Sequence, residues 1–175
     1  MPETYFTSDL HFRHRRVSEI RGFATVEEHD THVLEAWNRM ITHRNDVWVL
    51  GDLTFGKRAD SADLFASLNG RKHLVVGNHD PEHVRELPWI EVHDFVGRKF
   101  NKQRIYMMHY PMLTWPNGHK GTWHLHGHSH GNLVTAPSTR LDVGPDATGQ
   151  IALSFGEVAD RMADLSYLQV DHHDP

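Results

Sequence analysis

Short apolar runs alternate with helical stretches along the first half of the chain. Tyr5-Phe6-Thr7-Ser8-Asp9 is a β-type run, and Asp46-Val47-Trp48-Val49-Leu50 predicts a second strand that ends at Gly51-Asp52. Between them, from Val26 to Ile41, apolar side chains fall at Val33, Leu34, Trp37, Met40 and Ile41. That one-face spacing predicts an amphipathic helix, with Thr25 and Glu28 as its capping box. Ala62 to Leu68 reads as a short helix stopped by Asn69-Gly70. His73-Leu74-Val75-Val76 then forms a third strand that runs into Gly77-Asn78-His79-Asp80. This β-α-β-α-β order implies an α/β layered domain with a largely parallel central sheet.

The second half is richer in strands. Val92 to Arg98 and Arg104 to Met108 read as antiparallel neighbours, and Trp123 to His126 and Arg140 to Val143 as further strands. A last helix is expected from Phe155 to Leu165, with Ser154 and Glu157 as its capping box. The longest irregular segment, Tyr110 to Thr122, is rich in Pro, Gly and Trp and is expected to border a site. Without repeat, linker or low-complexity tract, residues 1–175 read as a single domain.

Composition narrows the function. Hydrophobic residues make up 38% and charged residues 23% of the 175, a globular balance. No stretch approaches the roughly 20 apolar residues needed to span a membrane, and Met1 to Asp9 lacks the apolar segment of a secretory signal. The absence of cysteine excludes disulfides and thiolate metal sites, and fits a cytoplasmic location. A formal net charge of −5 argues against a broad grip on duplex nucleic acid, while local basic patches can still hold one phosphate. Histidine changes the picture, at 17 residues. Position decides which of them matter.

Five small clusters fall where strands end: Asp9-Leu10-His11, Gly51-Asp52, Gly77-Asn78-His79-Asp80, His109, and Gly127-His128-Ser129-His130. Ligands of open α/β sheets gather outside the carboxyl ends of strands, so these residues can converge. Carboxylate, imidazole and amide oxygen without sulfur suit Mn²⁺, Fe or Zn²⁺. The glycines before Asp52, Asn78 and His128 are expected to allow tight backbone turns.

Taken together and in this order, the clusters resemble the calcineurin-like metallophosphoesterase family, with its D-x-H, G-D, G-N-H-D/E, H and G-H-x-H signature. The resemblance covers Asp9 to His130. Tyr5 to His14, Leu68-Asn69-Gly70, Met108 to Pro111 and Leu141 to Gly144 are similar to its small single-domain bacterial and phage members. The resemblance implies a four-layer α/β/β/α sandwich of two mixed sheets flanked by helices. It implies two divalent cations, Mn²⁺ ahead of Fe, Zn²⁺ or Ni²⁺. Asp9, His11, Asp52 and His130 would bind the first, and Asp52, Asn78, His109 and His128 the second, with Asp52 bridging. His79 would act as general acid, with Asp80 orienting its imidazole, while His14 and Asn78 would contact substrate.

Such a pair of cations, about 3.5–4 Å apart, can hold a hydroxide and clamp phosphoryl oxygens. The implied activity is hydrolysis of a small phosphodiester, such as a cyclic or other nucleotide. A phosphomonoesterase is the alternative. A non-catalytic scaffold would lack a ligand or His79, and a mononuclear hydrolase would leave Asn78 and the bridging Asp52 unexplained.

The remaining candidates have duller readings beside the functional ones. Arg15 and Arg16 read as a solvated face, Lys57 and Arg58 are ambiguous, and Arg13 could position a phosphate. Trp115, His119 and Lys120 could shape a leaving-group pocket, whereas Trp123 reads as core. His124 and His126 are read as structural supports, and His29, His32 and His43 as surface residues. Asp142 and Asp146 could buttress the site, with a plain turn residue the equal alternative for Asp146. His172 and His173 belong to a polar tail with no inferred role.

Overall fold

A computed structural model describes residues 2–170, so that His172 and His173 lie outside the described residues. In chain order the first elements are β1 (Thr4–Thr7), α1 (Arg15–Ile20), α2 (Val26–Met40), β2 (Asp46–Val49), α3 (Arg58–Ser67) and β3 (Arg71–Val75). Next come α4 (Glu82–Arg85), β4 (Val92–His93), β5 (Phe95–Phe100), β6 (Gln103–Met108) and β7 (Trp123–His126). The chain closes with β8 (Arg140–Asp142), α5 (Pro145–Thr148), β9 (Leu153–Ser154) and α6 (Phe155–Met162).

These strands form two mixed sheets flanked by helices. The first has the order β4-β3-β2-β1-β9, the second β5-β6-β7-β8. β1 to β4 run parallel, with Phe6 opposite Trp48 and Trp48 opposite His73, and β9 is antiparallel to β1. β6, β7 and β8 are parallel to one another and β5 is antiparallel to β6.

The period-2 alternation of β2 sorts its side chains to opposite faces. Val47 and Val49, with Leu74 of β3, pack under Val33 and Trp37 of α2, Phe65 of α3 and Val84 of α4. Trp48, with Phe6, Leu50 and Val75, faces the second sheet and meets Val96, Ile105, Met107 and Leu125. Val158 and Met162 of α6 enter this second core. Trp37 is fully buried and donates its Nε1–H to the Asn69 carbonyl at 3.0 Å, which ties α2 to the turn before β3. Truncating an aromatic at such a site costs about 3–5 kcal/mol.

Three expectations are corrected. The run from Val92 to Arg98 is two strands, one in each sheet. Its first residues pair with β3, where Val76 N–H donates to the His93 carbonyl, and after Asp94 the chain leaves to pair with β6. The Thr25 cap forms only in part: Thr25 Oγ1 accepts from Glu28 N–H, but the Glu28 carboxylate takes the N–H of Ala24 instead of closing the box. The Ser154–Glu157 box closes in both directions, while its helix stops at Met162 rather than Leu165. No helix among the described residues is long and apolar enough to cross a membrane.

Candidate metal centre

The chain leaves β1, β2 and β7 through left-handed backbone at chemically rich residues. Asp9 (φ 51°), His11 (53°), Asp52 (58°), His128 (67°) and His130 (47°) all adopt it. Each such residue costs about 1–3 kcal/mol and persists only where its surroundings fix it. The fixing bonds are present. Asp9 N–H donates to the Gly51 carbonyl and His11 N–H to the Asp52 carbonyl, both at 3.0 Å, which zips the loops after β1 and β2 together. His128 N–H donates to Asp9 Oδ2 at 2.9 Å, drawing in the loop after β7.

Two groups of electron-pair donors result. In the first, His130 Nδ1 lies 2.6 Å from Asp146 Oδ2, so its hydrogen is engaged there and the lone pair of Nε2 points away. That Nε2 is 3.2 Å from His11 Nε2 and 3.6 Å from Asp9 Oδ1. Asp9 Oδ1 and His11 Nδ1 are buried without a hydrogen-bond partner among the described residues. An orphaned buried acceptor of this kind needs an explanation.

The second group forms around His109, whose Nδ1 donates to the Leu50 carbonyl at 2.7 Å and leaves Nε2 as an acceptor. Nε2 lies 2.9 Å from Asn78 Oδ1 and 3.6 Å from Asp52 Oδ2, and His128 Nδ1 is 3.0 Å from the same Asn78 oxygen. Asp52 Oδ2 is also 3.9 Å from His11 Nε2. One carboxylate oxygen therefore faces both groups, while its twin accepts from His79 N–H at 2.9 Å.

The glycines act differently from the turn role expected of all three. Only Gly51 has positive φ, at +94°. Gly77 and Gly127 instead admit close approach: a Cβ at Gly77 would overlap Asp52 Oδ1, and one at Gly127 would overlap Asp9 Oδ2. The expected role of Asp80 is also corrected. Its carboxylate accepts backbone N–H from Asp52, Leu53 and Gly77 at 2.8–3.0 Å, which locks the loop after β2 to the loop after β3. Both of its oxygens are thus engaged by backbone rather than by the His79 imidazole. His79 itself stands exposed at the rim, its ring 6.2 Å from that of His11.

Arg21 belongs to no motif and caps the end of α1, so nothing in the sequence pattern singles it out. Its guanidinium donates to the Asp9 and Leu10 carbonyls at 2.7 and 3.0 Å and grips Asp146 through two bonds at 2.9 and 2.7 Å. Asp146 in turn holds His130, so one arginine ties together both ends of the first group. His29, expected on the surface, is fully buried beneath this network, 3.0 Å from Arg21 and 3.1 Å from Asp30.

Burial alone would raise the Asp146 carboxyl, but His130 and Arg21 outweigh it and hold the group well below the usual range. The Asp146 hydrogen bond raises His130 above its ordinary value, against its own burial. The carboxylate's share of stability is present above the unfolded pKa of about 3.9 and is lost as acid titrates it. The imidazolium's share is present below about 6.5 and is lost as pH rises through the raised value. The melting-temperature gap between the metal-free wild type and Asp146→Asn should be widest between about pH 4 and 6.5 and should close on acidification. A gap that widens toward pH 3 would contradict this pairing.

Other expected residues settle as follows. His14 caps α1, with Nδ1 accepting from Val17 N–H at 3.2 Å, and its ring lies beside His11 and Phe55. His124 is held neutral, down to about 3, by burial and by His126. It donates from Nδ1 to the Tyr106 carbonyl and accepts from Met112 N–H, which pins the start of the 110–122 loop. Trp115 is buried, with its indole N–H on the Thr122 carbonyl, and offers no face to a ligand. Trp123 stacks on Phe155. Arg58 pairs with Glu86 at 2.8 Å and so links α3 to α4. Asp142 takes the N–H groups of Gly131 and Gly144, bracing the turns after β7 and β8.

No protein-family model matches the chain. It is 29% identical to the Gene 66 protein of Mycobacterium phage L5, over 91% of this chain and 94% of that protein. With the Gene 66 protein of Mycobacterium phage D29 it shares 27% identity over 94% and 98%. The uncharacterized protein MJ1445 of Methanocaldococcus jannaschii is 32% identical over 138 residues, 75% of this chain and 72% of that one. The chain belongs to the same family as MJ1445. Among solved structures, the protein of unknown function AQ665 from Aquifex aeolicus matches with a TM-score of 0.73 at 20% identity, over 92% of this chain and 100% of that one. That likeness shows a shared α/β fold.

Proposed function

We propose that the protein is a two-metal phosphoester hydrolase with the calcineurin-like four-layer fold, acting on phosphodiesters. One observation carries the reading: Asp52 Oδ2 lies between two clusters of imidazole nitrogens, 3.6 Å from His109 Nε2 and 3.9 Å from His11 Nε2. The donor set fits a pair of divalent cations. Asp9 Oδ1 is a buried acceptor without a donor, and His109 and His130 each commit their Nδ1 hydrogen elsewhere, so that Nε2 faces inward. Asp9, His11, Asp52 and His130 would hold one ion, and Asp52, Asn78, His109 and His128 the other. Oxygen and imidazole ligands without sulfur suit Mn²⁺, Fe, Zn²⁺ or Ni²⁺.

When bound, the cations would supply Lewis-acid charge at the phosphoryl oxygens and a water acidic enough to attack near neutral pH. The chain's own residues do the rest. Arg21, Asp80 and Asp142 fix the loops, so that the ligating atoms need little reorganisation. His79 is tethered to Asp52 through its backbone, which keeps its exposed imidazole at the rim, in position to give a proton to the leaving oxygen.

The test is hydrolysis of bis-p-nitrophenyl phosphate beside p-nitrophenyl phosphate, after chelation and again after Mn²⁺ is restored. Metal-dependent cleavage that favours the diester is the expected result. Preference for the monoester would make the protein a phosphomonoesterase. Two bound ions with no turnover of either ester would overturn the enzymatic reading.

A further inference from the structure

Phe55 follows the Asp52 loop and stands at the rim, 40% exposed and outside both hydrophobic cores. Its ring is 4.2 Å from the His14 ring, 5.0 Å from His79 and 5.6 Å from His11. It separates two open hollows. One, of about 550 Å³, is lined by Phe55 with Arg13, His14, Arg15, Arg16 and Glu19. The other, of about 320 Å³, is lined by Phe55 with Asn78, His79, His83 and Arg85 among its walls. A group departing past His79 therefore meets an aromatic face first and a cationic hollow next.

Each guanidinium pairs with a carboxylate, and those of Arg15 and Arg16 stay largely exposed. Arg13 has left-handed backbone (φ 62°), with its N–H on both Asp30 oxygens and its guanidinium 3.3 Å from the same carboxylate. Arg15 and Arg16 converge on Glu19 at 2.9 and 3.8 Å. Within the larger hollow three guanidiniums meet the one carboxylate of Glu19, while Asp30, Glu27, Asp60 and Asp63 lie on the other side of Arg13, in a separate hollow.

We propose that this rim is a second substrate subsite, in which Phe55 stacks a nucleobase and Arg13, Arg15 and Arg16 hold a phosphate neighbouring the scissile one. The inference rests on the phosphodiesterase reading above and narrows its substrate to short single-stranded oligonucleotides. Duplex is excluded because stacking on a side chain requires a base free of its partner. Guanidinium–phosphate pairing supplies the charge-assisted bonds.

The probes are phosphorothioate-linked thymidine dinucleotides, which resist cleavage, with and without a terminal phosphate at either end. Their dissociation constants are measured by calorimetry on the full chain loaded with Mn²⁺. The extra phosphate at one end should tighten binding about tenfold or more. R15E/R16E should bring that ratio close to one, while K99E/K102E, the same charge change at exposed positions of the β5–β6 hairpin, should preserve it. Phe55→Ala should weaken both dinucleotides about 5- to 150-fold, the value of one base–aromatic stack.

No advantage from the phosphate would overturn the subsite, as would equal loss in the distant variant. An advantage that survives R15E/R16E, as when the phosphate binds the metal centre directly, would overturn it too. Failure of the phosphodiesterase reading shows separately, as no cleavage of bis-p-nitrophenyl phosphate. A phosphate advantage that persists then would still support the rim as a nucleotide-binding site.

Discussion

On the two-metal reading proposed above, Asp52→Asn should abolish binding of both cations together. One oxygen of this carboxylate is anchored by His79 N–H, and the other faces His11 on one side and His109 on the other. An amide keeps the shape but loses the negative charge. If its oxygen stays on the His79 N–H, its uncharged NH₂ takes the place of the oxygen that the proposed cations would share. Substitution of outer partners of metal ligands typically costs about 10–100-fold in affinity, and loss of a shared carboxylate should exceed that for both ions. Elemental analysis after dialysis, beside wild type, reads the outcome. Near-zero occupancy is expected. Retention of one ion would sink the bridging assignment while leaving a mononuclear site to explain.

His79→Asn should leave both ions bound and slow cleavage of alkyl phosphodiesters by about 10²–10⁴-fold, the range of general acid catalysis. The substitution is selective, since the contact to Asp52 comes from the His79 backbone N–H and survives it. Esters that release p-nitrophenolate need little help from a proton and should be slowed far less. The diagnostic is the dependence of rate on leaving-group pKa, which should steepen in the variant. Undiminished activity on an alkyl diester would remove His79 as the acid. It would leave the rim without a proton donor that the rest of the site identifies.

Much of the architecture was legible because local signals and burial agree. The strands that lead into Asp9, Asp52 and Asn78 are short apolar runs followed by polar residues, and α2 carries its one-face stripe from Val33 to Trp37. The split at Asp94 was hidden because period-2 alternation reports a strand without saying which sheet receives it. The candidate ligands announced themselves by residue type and order. Their supports did not. Arg21 belongs to no motif and does its positioning through the Asp9 carbonyl and the Asp146 carboxylate, the latter distant in sequence, while His29 acts only through Arg21 and Asp30. Asp80 shows the opposite failure. It sits inside a motif, and its neighbour His79 suggested an imidazole partner, yet three backbone N–H groups take its oxygens.

The contacts made by Gly77 and Gly127 carry a consequence for any survey of variants. Each is a bare Cα pressed against a carboxylate oxygen, of Asp52 and of Asp9 respectively. A single added methyl would displace a candidate ligand without touching a ligating atom. In a saturation library these two positions should reject every substitution, alanine included, as firmly as Asp9 or Asp52. Scores based on chemical reactivity would pass over them, since the property under selection there is the absence of a side chain.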